Sequence, residues 1–386
     1  MDKGTRSCRT LAADVLEEIS MHLPADVLAE IMMRLPPNNR RRLRLVCRHW
    51  RQVVDTRTAT DLRNRAKTLV VTKYMHGYVF DDLSTGCPRK LWTCTADRYK
   101  DMTMVGTCNG LICLCDNHDG AITLVNPVTR ETLAIPPLPS LYAGGSGKWH
   151  RTYSFTYHPT TGRYKIGHVP RYLDRVLMFT LGEASWRDFP MVGCRGRCDL
   201  DAGIVSADGY MYLAVGGAEA RIMAFDLNME NFTSIRLPPS IPSRRGSWRL
   251  TEVHGRLGIA FTHESQMLAK TEVWVMEGMP GQFKWNCWYI LRVNPGYWWW
   301  HHYQQLAWPH FAHGGNHVLT QDHNNFLFRH VPSGDTRKAR HGVVETSEKN
   351  HGRMIYDTAP FSSTYKAMAT FVYIETTEPL GVYKCW

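Results

Sequence analysis

Nothing in the 386 residues approaches the run of about twenty apolar side chains that a membrane-spanning helix needs. The first stretch, MDKGTRSCRTLAADVLEEIS, has basic residues but no apolar core ahead of Asp14 and Glu17, so it does not read as a secretory leader. A reducing compartment, cytoplasm or nucleus, is therefore expected, with no membrane partner. The eleven cysteines are odd in number and lack zinc-ligand spacing, so they read as reduced thiols. Cys113 and Cys115 alternate on a strand and should share one buried face. Cys194 and Cys198 have no second pair at a recognised interval, so no metal is expected. There is no serine elbow, no His-Glu-x-x-His helix and no catalytic cysteine context. The Gly-rich turn Tyr142–Lys148 is followed by Trp149, where a phosphate loop needs Ser or Thr. No catalytic residue and no cofactor are expected.

What is present begins with charge. A net charge of +11 permits nucleic acid or an acidic protein as partner and does not choose between them. Residues 11–36 read LAADVLEEISMHLPADVLAEIMMRLP, one phrase written twice: at an offset of twelve, ten of fourteen positions are identical. The second copy carries helix signals. Pro24 suits a first turn, Asp26 complements the helix dipole, and Val27, Leu28, Ile31 and Leu35 make an apolar stripe. Pro36-Pro37 ends it.

A second helix is expected in NNRRRLRLVCRHWRQVVD, capped by Asn38 or Asn39. Its apolar face is Leu43, Cys47, Trp50 and Val54, and its basic face Arg40, Arg44, Arg48 and Arg51. Two such short helices cannot hide both stripes on each other, so a partner surface is implied. The first copy lacks the leading proline and the arginine helix; it reads as a spare helix left by a tandem duplication.

LPADVLAEIMMRLPPNNRRRLRLVCRHWRQVV, residues 23–54, resembles the F-box, especially of plant, grass-type proteins. The Leu-Pro-x-Asp opening, the Glu-Ile before Arg-Leu-Pro and the Val-Cys-Arg-x-Trp-Arg run are all in register. The resemblance implies docking to a small acidic Skp-type adaptor and, through it, to a cullin. It places the docking contacts on Leu23, Pro24, Val27, Leu28, Ile31, Leu35, Pro36, Val46, Cys47 and Trp50. The chain departs from many F-boxes at Arg40 and Arg41, where leucines are usual. Reading RRRLR as a nucleic-acid patch is the weaker alternative, because no helix-turn-helix spacing surrounds it.

After a linker helix expected at Thr56–Lys67, the texture becomes β. KTLVVTKY, GLICLCD, AITLVNP, TYSFTYHP, RYKIGHV, RIMAFDLN, GRLGIAF, TEVWVME, NFLFRHV and ATFVYIET suit strands, with Asn-Gly, Asp-Gly and His-Gly turns between them. A unit ending in proline recurs, as in VNPVTRETLAIPPLP and FDLNMENFTSIRLPPS, and Pro136, Pro190 and Pro238 lie 54 and 48 residues apart. A period of about fifty suits kelch-like propeller blades, six or seven of them. ATFVYIETTEPLGVYK is expected to pair with KTLVVTKY and close the ring.

GTCNGLICLCDN, VNPVTRETLAIPP, YSFTYHPTTGRYKIGHV and LTEVHGRLGIAF resemble the F-box-associated domain of plant F-box proteins, which implies selection of a protein client for ubiquitination. In PGYWWWHHY, residues 295–303, alternation puts Trp298 and Trp300 on one face and Trp299 on the other. At least half of this cluster reads as core, and the exposed remainder makes Trp298, Trp299 and Trp300 the candidate client contacts.

The expected organisation is an α plus all-β multidomain chain. A 1–22 extension precedes an F-box with linker helix at 23–65 and a propeller at 66–386. The expected role is a non-catalytic specificity subunit of a ubiquitin ligase. The alternatives are a lectin-like propeller with a weakened F-box and a nucleic-acid-binding regulator using the basic helix.

Overall fold

The computed structural model describes residues 23–58 and, from 65 to 384, the strands given below with most of their short turns; segments 59–64, 84–87, 93–100, 143–148, 171–174, 192–196, 242–247, 265–268, 279–282, 294–304, 313–316, 322–326, 331–343, 346–352 and 355–366 are the longer ones outside the description. The first helix copy at 11–22 and Trp298, Trp299 and Trp300 also lie outside it.

Six sheets follow one another along the chain. The first joins Lys67–Thr72, Gly77–Phe80 and Pro88–Trp92 to the late strand Ala367–Tyr373. The second is the meander Met102–Cys108, Leu111–Asp116, Ile122–Asn126 and Glu131–Ala134, and the third is Tyr153–His158, Arg163–His168, Arg175–Thr180 and Arg187–Pro190. The fourth runs Ile204–Ala207, Tyr210–Gly216, Arg221–Asp226 and Phe232–Arg236, with Arg197–Cys198 added. The fifth runs Trp248–Val253, Arg256–Glu264, Ala269–Glu277 and Lys284–Val293, with the short parallel Val344–Glu345. The sixth holds Gln305–Ala312, His317–Gln321, Leu327–His330 and Arg353–Met354.

The opening strands of the second to sixth sheets and Ala367–Tyr373 stand beside one another in turn, the arrangement of a β-propeller. Closure is as expected: Lys67 pairs with Tyr373, Leu69 with Phe371 and Val71 with Ala369, antiparallel. The first sheet therefore has no open inner edge. The ring so formed holds six sheets, five with packed cores and a sixth that contributes buried Leu319, so of the expected six or seven blades the higher count has no counterpart. No seventh sheet occurs among the described residues.

The cores lie between neighbouring sheets, because each strand alternates its side chains between two covered faces. Leu111, Cys113 and Cys115 pack with Tyr153, Phe155, Tyr164 and Ile166 of the third sheet. Ile112 and Leu114 of the same strand pack with Leu69, Val71 and Phe371 of the first. Both cysteines are free, buried thiols, pushed well up by burial, as the alternation implied.

The turns follow from local chemistry. Asn109-Gly110, Asp208-Gly209 and His254-Gly255 each place two successive residues at positive φ, as two-residue hairpins with the twist of the strands require. A five-residue turn recurs at 116–120, 126–130, 158–162 and 226–230: the last N–H donates to the first carbonyl, at 2.9, 2.8, 2.7 and 2.8 Å. Its last residue has positive φ, whether Gly120, Arg130, Gly162 or Glu230. Asn126 and Asp226 also accept backbone N–H bonds from inside their turns, which is why Asn-Pro-Val-Thr-Arg and Asp-Leu-Asn-Met-Glu occupy equivalent places.

Ahead of the first sheet stands a helical module: α1 (Ala25–Met33), α2 (Pro37–Arg42), a single 3-10 turn at Leu43–Leu45 and α3 (Arg48–Gln52), continuing as a π-helical turn to Thr58. The expected single second helix is therefore broken. Cys47 is extended (φ −156°, ψ 173°) and acts as the N-cap of α3, its sulfur accepting from Trp50 N at 3.4 Å. The expected Asn38 or Asn39 cap is also replaced. Pro36 occupies the N-cap of α2 and Pro37 its first turn, where the missing N–H costs nothing.

Candidate functional site

α1 is apolar on two sides. Leu28, Ala29 and Met32 turn inward and form the module's core with Val53, supported by Leu43, Trp50 and Val54. Val27 and Ile31 turn outward at 45% and 49% exposure, in line with exposed Pro24. Leu45 and Val46, set just before the break at Cys47, are exposed at 81% and 46%. Four of the seven exposed large hydrophobics of the described residues thus sit in this small module. A cluster of that kind marks an interaction surface more than scattered single residues would.

The ten residues expected to dock the adaptor divide accordingly. Pro24, Val27, Ile31 and Val46 are exposed, and Leu23, Leu35, Pro36, Cys47 and Trp50 are half-buried. Leu28, at 1% exposure, belongs to the module's own core. Leu45 was not among the expected contacts. On a continuous helix it lies opposite the Leu43, Cys47 and Trp50 stripe, so the apolar pattern gives no sign of it as a contact.

The same inward set shows why one copy of the repeated phrase builds the module. The positions of Leu28, Ala29 and Met32 are filled in the first copy by Leu16, Glu17 and Ser20. Glu17 and Ser20 in that core would bury a carboxylate and a hydroxyl among apolar side chains. Val27 and Ile31, by contrast, have unchanged counterparts in Val15 and Ile19.

The expected basic face does not form as one stripe. Arg40 is buried; its Nε donates to Met32 O at 3.2 Å and its Nη2 to Leu35 O at 3.0 Å, adding side-chain bonds to carbonyls at and just beyond the end of α1. Burial draws its guanidinium below the usual range, against the opposing pull of Tyr157, Tyr164 and Glu378. Arg41 lies over Gly162 of a propeller turn, where a Cβ would strike its side chain. Arg44 pairs with Asp55 at 2.8 Å, and Arg57 with Asp26 at 3.0 Å. Arg34, Arg42, Arg48 and Arg51 remain exposed.

Module and propeller meet across a seam. Asn38 Nδ2 donates to Glu378 Oε1 at 2.9 Å and also meets Tyr383 Oη. A cleft of ≈ 690 Å³ opens beside this contact, lined by Arg34, Leu35 and Arg40 on one side and by Lys67, Asn109 and Glu375 on the other. Its charges are largely engaged: Arg65 pairs with Glu30, Lys67 with Asp81 at 2.5 Å and Arg89 with Glu375. Among the described residues no group of three His, Cys, Asp or Glu is placed to hold a metal, and no helix is long and apolar enough to cross a membrane.

Comparison with known proteins matches both parts. The family described as F-box associated beta propeller domain matches residues 67–364, and the F-box domain matches residues 20–59. An F-box protein of Arabidopsis thaliana is 27% identical over 206 residues, covering 48% of this chain and 46% of its own length. A second from the same plant is 31% identical over 139 residues, covering 32% of each. The matched region thus spans less than half the length of these relatives. Among solved structures, the β-propeller domain of Myceliophteria thermophila Cps50 (Swd1) is similar at a TM-score of 0.39 and 10% identity, covering 73% of this chain and 82% of that one.

Proposed function

Because the chain belongs to the F-box-associated β-propeller family and carries an F-box ahead of that domain, we propose that it is the substrate-recognition subunit of an SCF-type ubiquitin ligase. F-box domains bind Skp-type adaptors within such complexes, and F-box proteins are typically non-catalytic subunits; the ubiquitin chemistry then resides on other subunits. The observation that carries the reading is the outward row Pro24, Val27 and Ile31, with exposed Leu45 and Val46 on the same module. These side chains stay apolar and uncovered although the module has a complete core of its own, which is what a docking surface requires. Exposed Arg42, Arg48 and Arg51 beside them favour an acidic partner. In this reading the adaptor bridges to the cullin, and the propeller captures a protein client in the cytoplasm or nucleus.

The test is titration calorimetry of the full chain with a purified Skp-type adaptor, comparing wild type, Ile31→Asp and Leu45→Asp. Loss of an exposed anchor should weaken binding by about 2 kcal/mol or more, roughly thirtyfold. Absence of binding by the wild type, or equal affinity in all three, would remove the ligase reading.

A further inference from the structure

We propose that residues 374–384 are a coupling strap, and that Asn38, Glu378 and Tyr383 are positioning residues that hold the docking module in one orientation on the propeller. The inference rests on the function proposed above for the module, but its own geometry is independent of any partner. After Ala367–Tyr373 closes the ring, the chain crosses the propeller face that carries the 109–110 and 126–130 turns, pinned at several points. Asn126 Nδ2, fully buried, donates to Thr376 O at 3.2 Å and Glu378 O at 2.8 Å. Leu380 N donates to Glu131 Oε2 at 2.8 Å, while its side chain is buried in the core between the second and third sheets. Gly110, at φ +82°, lies so close under Ile374 O that no Cβ fits there. Tyr383 stands edge-on to buried Tyr164, with ring centroids 5.8 Å apart.

The strap therefore belongs to the propeller, yet its most buried polar group faces the module. Glu378 is 1% exposed. Its carboxylate accepts from Tyr383 Oη at 2.7 Å, from Asn38 Nδ2 at 2.9 Å and, at 3.4 Å, from Asn38 N in the first turn of α2. Burial first, then the Glu378 hydrogen bond, pushes the Tyr383 phenol up, so it stays a donor. A carboxylate this buried needs these donors, and leaving any unmade carries the desolvation cost of the orphaned group. The module supplies the Asn38 part only when α2 is seated in one position. Arg40 and Arg41 act in the same sense. Arg40 ties the end of α1 to α2 within the module, and Arg41 rests on the Gly162 turn of the third sheet. The departure from F-box leucines at 40 and 41 thus faces inward, toward the seam.

The experiment is hydrogen exchange and calorimetric unfolding of the full chain, for wild type, Asn38→Ala, Glu378→Gln, Asn38→Asp and the exchanged pair Asn38→Asp with Glu378→Gln. The single variants should exchange tenfold or more faster in segments 37–42 and 374–384, with strands 204–226 unchanged. They should also separate a module transition from that of the propeller. The exchanged pair, which restores one donor and one acceptor across the seam, should recover both signals. Affinity for a Skp-type adaptor should stay within about twofold throughout, which separates positioning from docking. Unchanged exchange in the single variants, no recovery by the pair, or loss of adaptor affinity in Asn38→Ala would each overturn the proposal. Failure of the wild type to bind any adaptor would sink the ligase reading while leaving the exchange result intact.

Discussion

Introducing the first copy's residues into the second tests the division of α1 into an inward and an outward face. Met32 is wholly buried against Leu28, Ala29 and Val53, and the equivalent residue in the first copy is Ser20. Met32→Ser removes a buried side chain worth about 2–5 kcal/mol. It also leaves a hydroxyl with no partner in an apolar pocket, adding about 1 kcal/mol or more. A loss of about 4 kcal/mol is expected, which at roughly 1.4 kcal/mol per tenfold is close to a thousandfold. Ala29→Glu, mimicking Glu17, should be at least as severe, because a carboxylate enters the same core unpaired. The assay is amide hydrogen exchange of residues 25–33 in the full chain, whose protection should collapse in both variants while the propeller strands stay protected. Ile31→Asp, at a position 49% exposed, should alter that protection by no more than about 0.5 kcal/mol. A fall of less than fivefold for Met32→Ser, or an equal fall for Ile31→Asp, would refute the two-sided helix.

Two further outcomes follow from the propeller. Burial holds His168, packed beside Trp149 and Tyr153, down to about 3, whereas the unfolded chain takes its proton near 6.5. The stability this neutral ring contributes is complete above about pH 6.5 and is lost as pH falls toward the folded value. Between pH 7 and pH 5 the cost is about 2 kcal/mol. Urea unfolding at the two pH values should show this, and His168→Phe should remove that part of the slope; an unchanged slope would mean that other groups carry it. Gly110→Ala places a Cβ at φ +82° against Ile374 O and, at 2.8 Å, against Thr376 Cγ2. It should cost about 1–3 kcal/mol of propeller stability and raise exchange in segment 374–384, whereas Gly182→Ala, strained in φ but with open space around it, should leave that segment protected.

Much of this architecture is legible in residues close together in the chain. The Asn109-Gly110 and Asp208-Gly209 hairpins need positive φ at two successive positions, and few residue pairs supply it. The turns at 126–130 and 226–230 close by bonds within five residues, so their spacing shows directly as the repeat. Alternation within Leu111–Asp116 assigns Cys113 and Cys115 to one core, because a strand has only two faces. The F-box phrase was equally plain, since its helix signals and its apolar side chains lie within thirty-two residues.

Tertiary structure decided what could be reached only across the chain. The sequence by itself determined that α1 is apolar; which side faces in was set by Val53 and Trp50 arriving from another helix. Arg40 reads as one member of a basic stripe until the carbonyls of Met32 and Leu35 are brought beside it. Leu45 falls off the apolar stripe read from the sequence, and its place beside exposed Val46 shows only in the folded module. Asn38 looks like a helix cap, and its partner Glu378 lies 340 residues away, with nothing local to Glu378 to mark it. Local bonds leave periodic traces in a sequence because the same few residues must recur wherever the same turn does. A contact between distant segments leaves none, since it depends on where the closed ring happens to return the end of the chain.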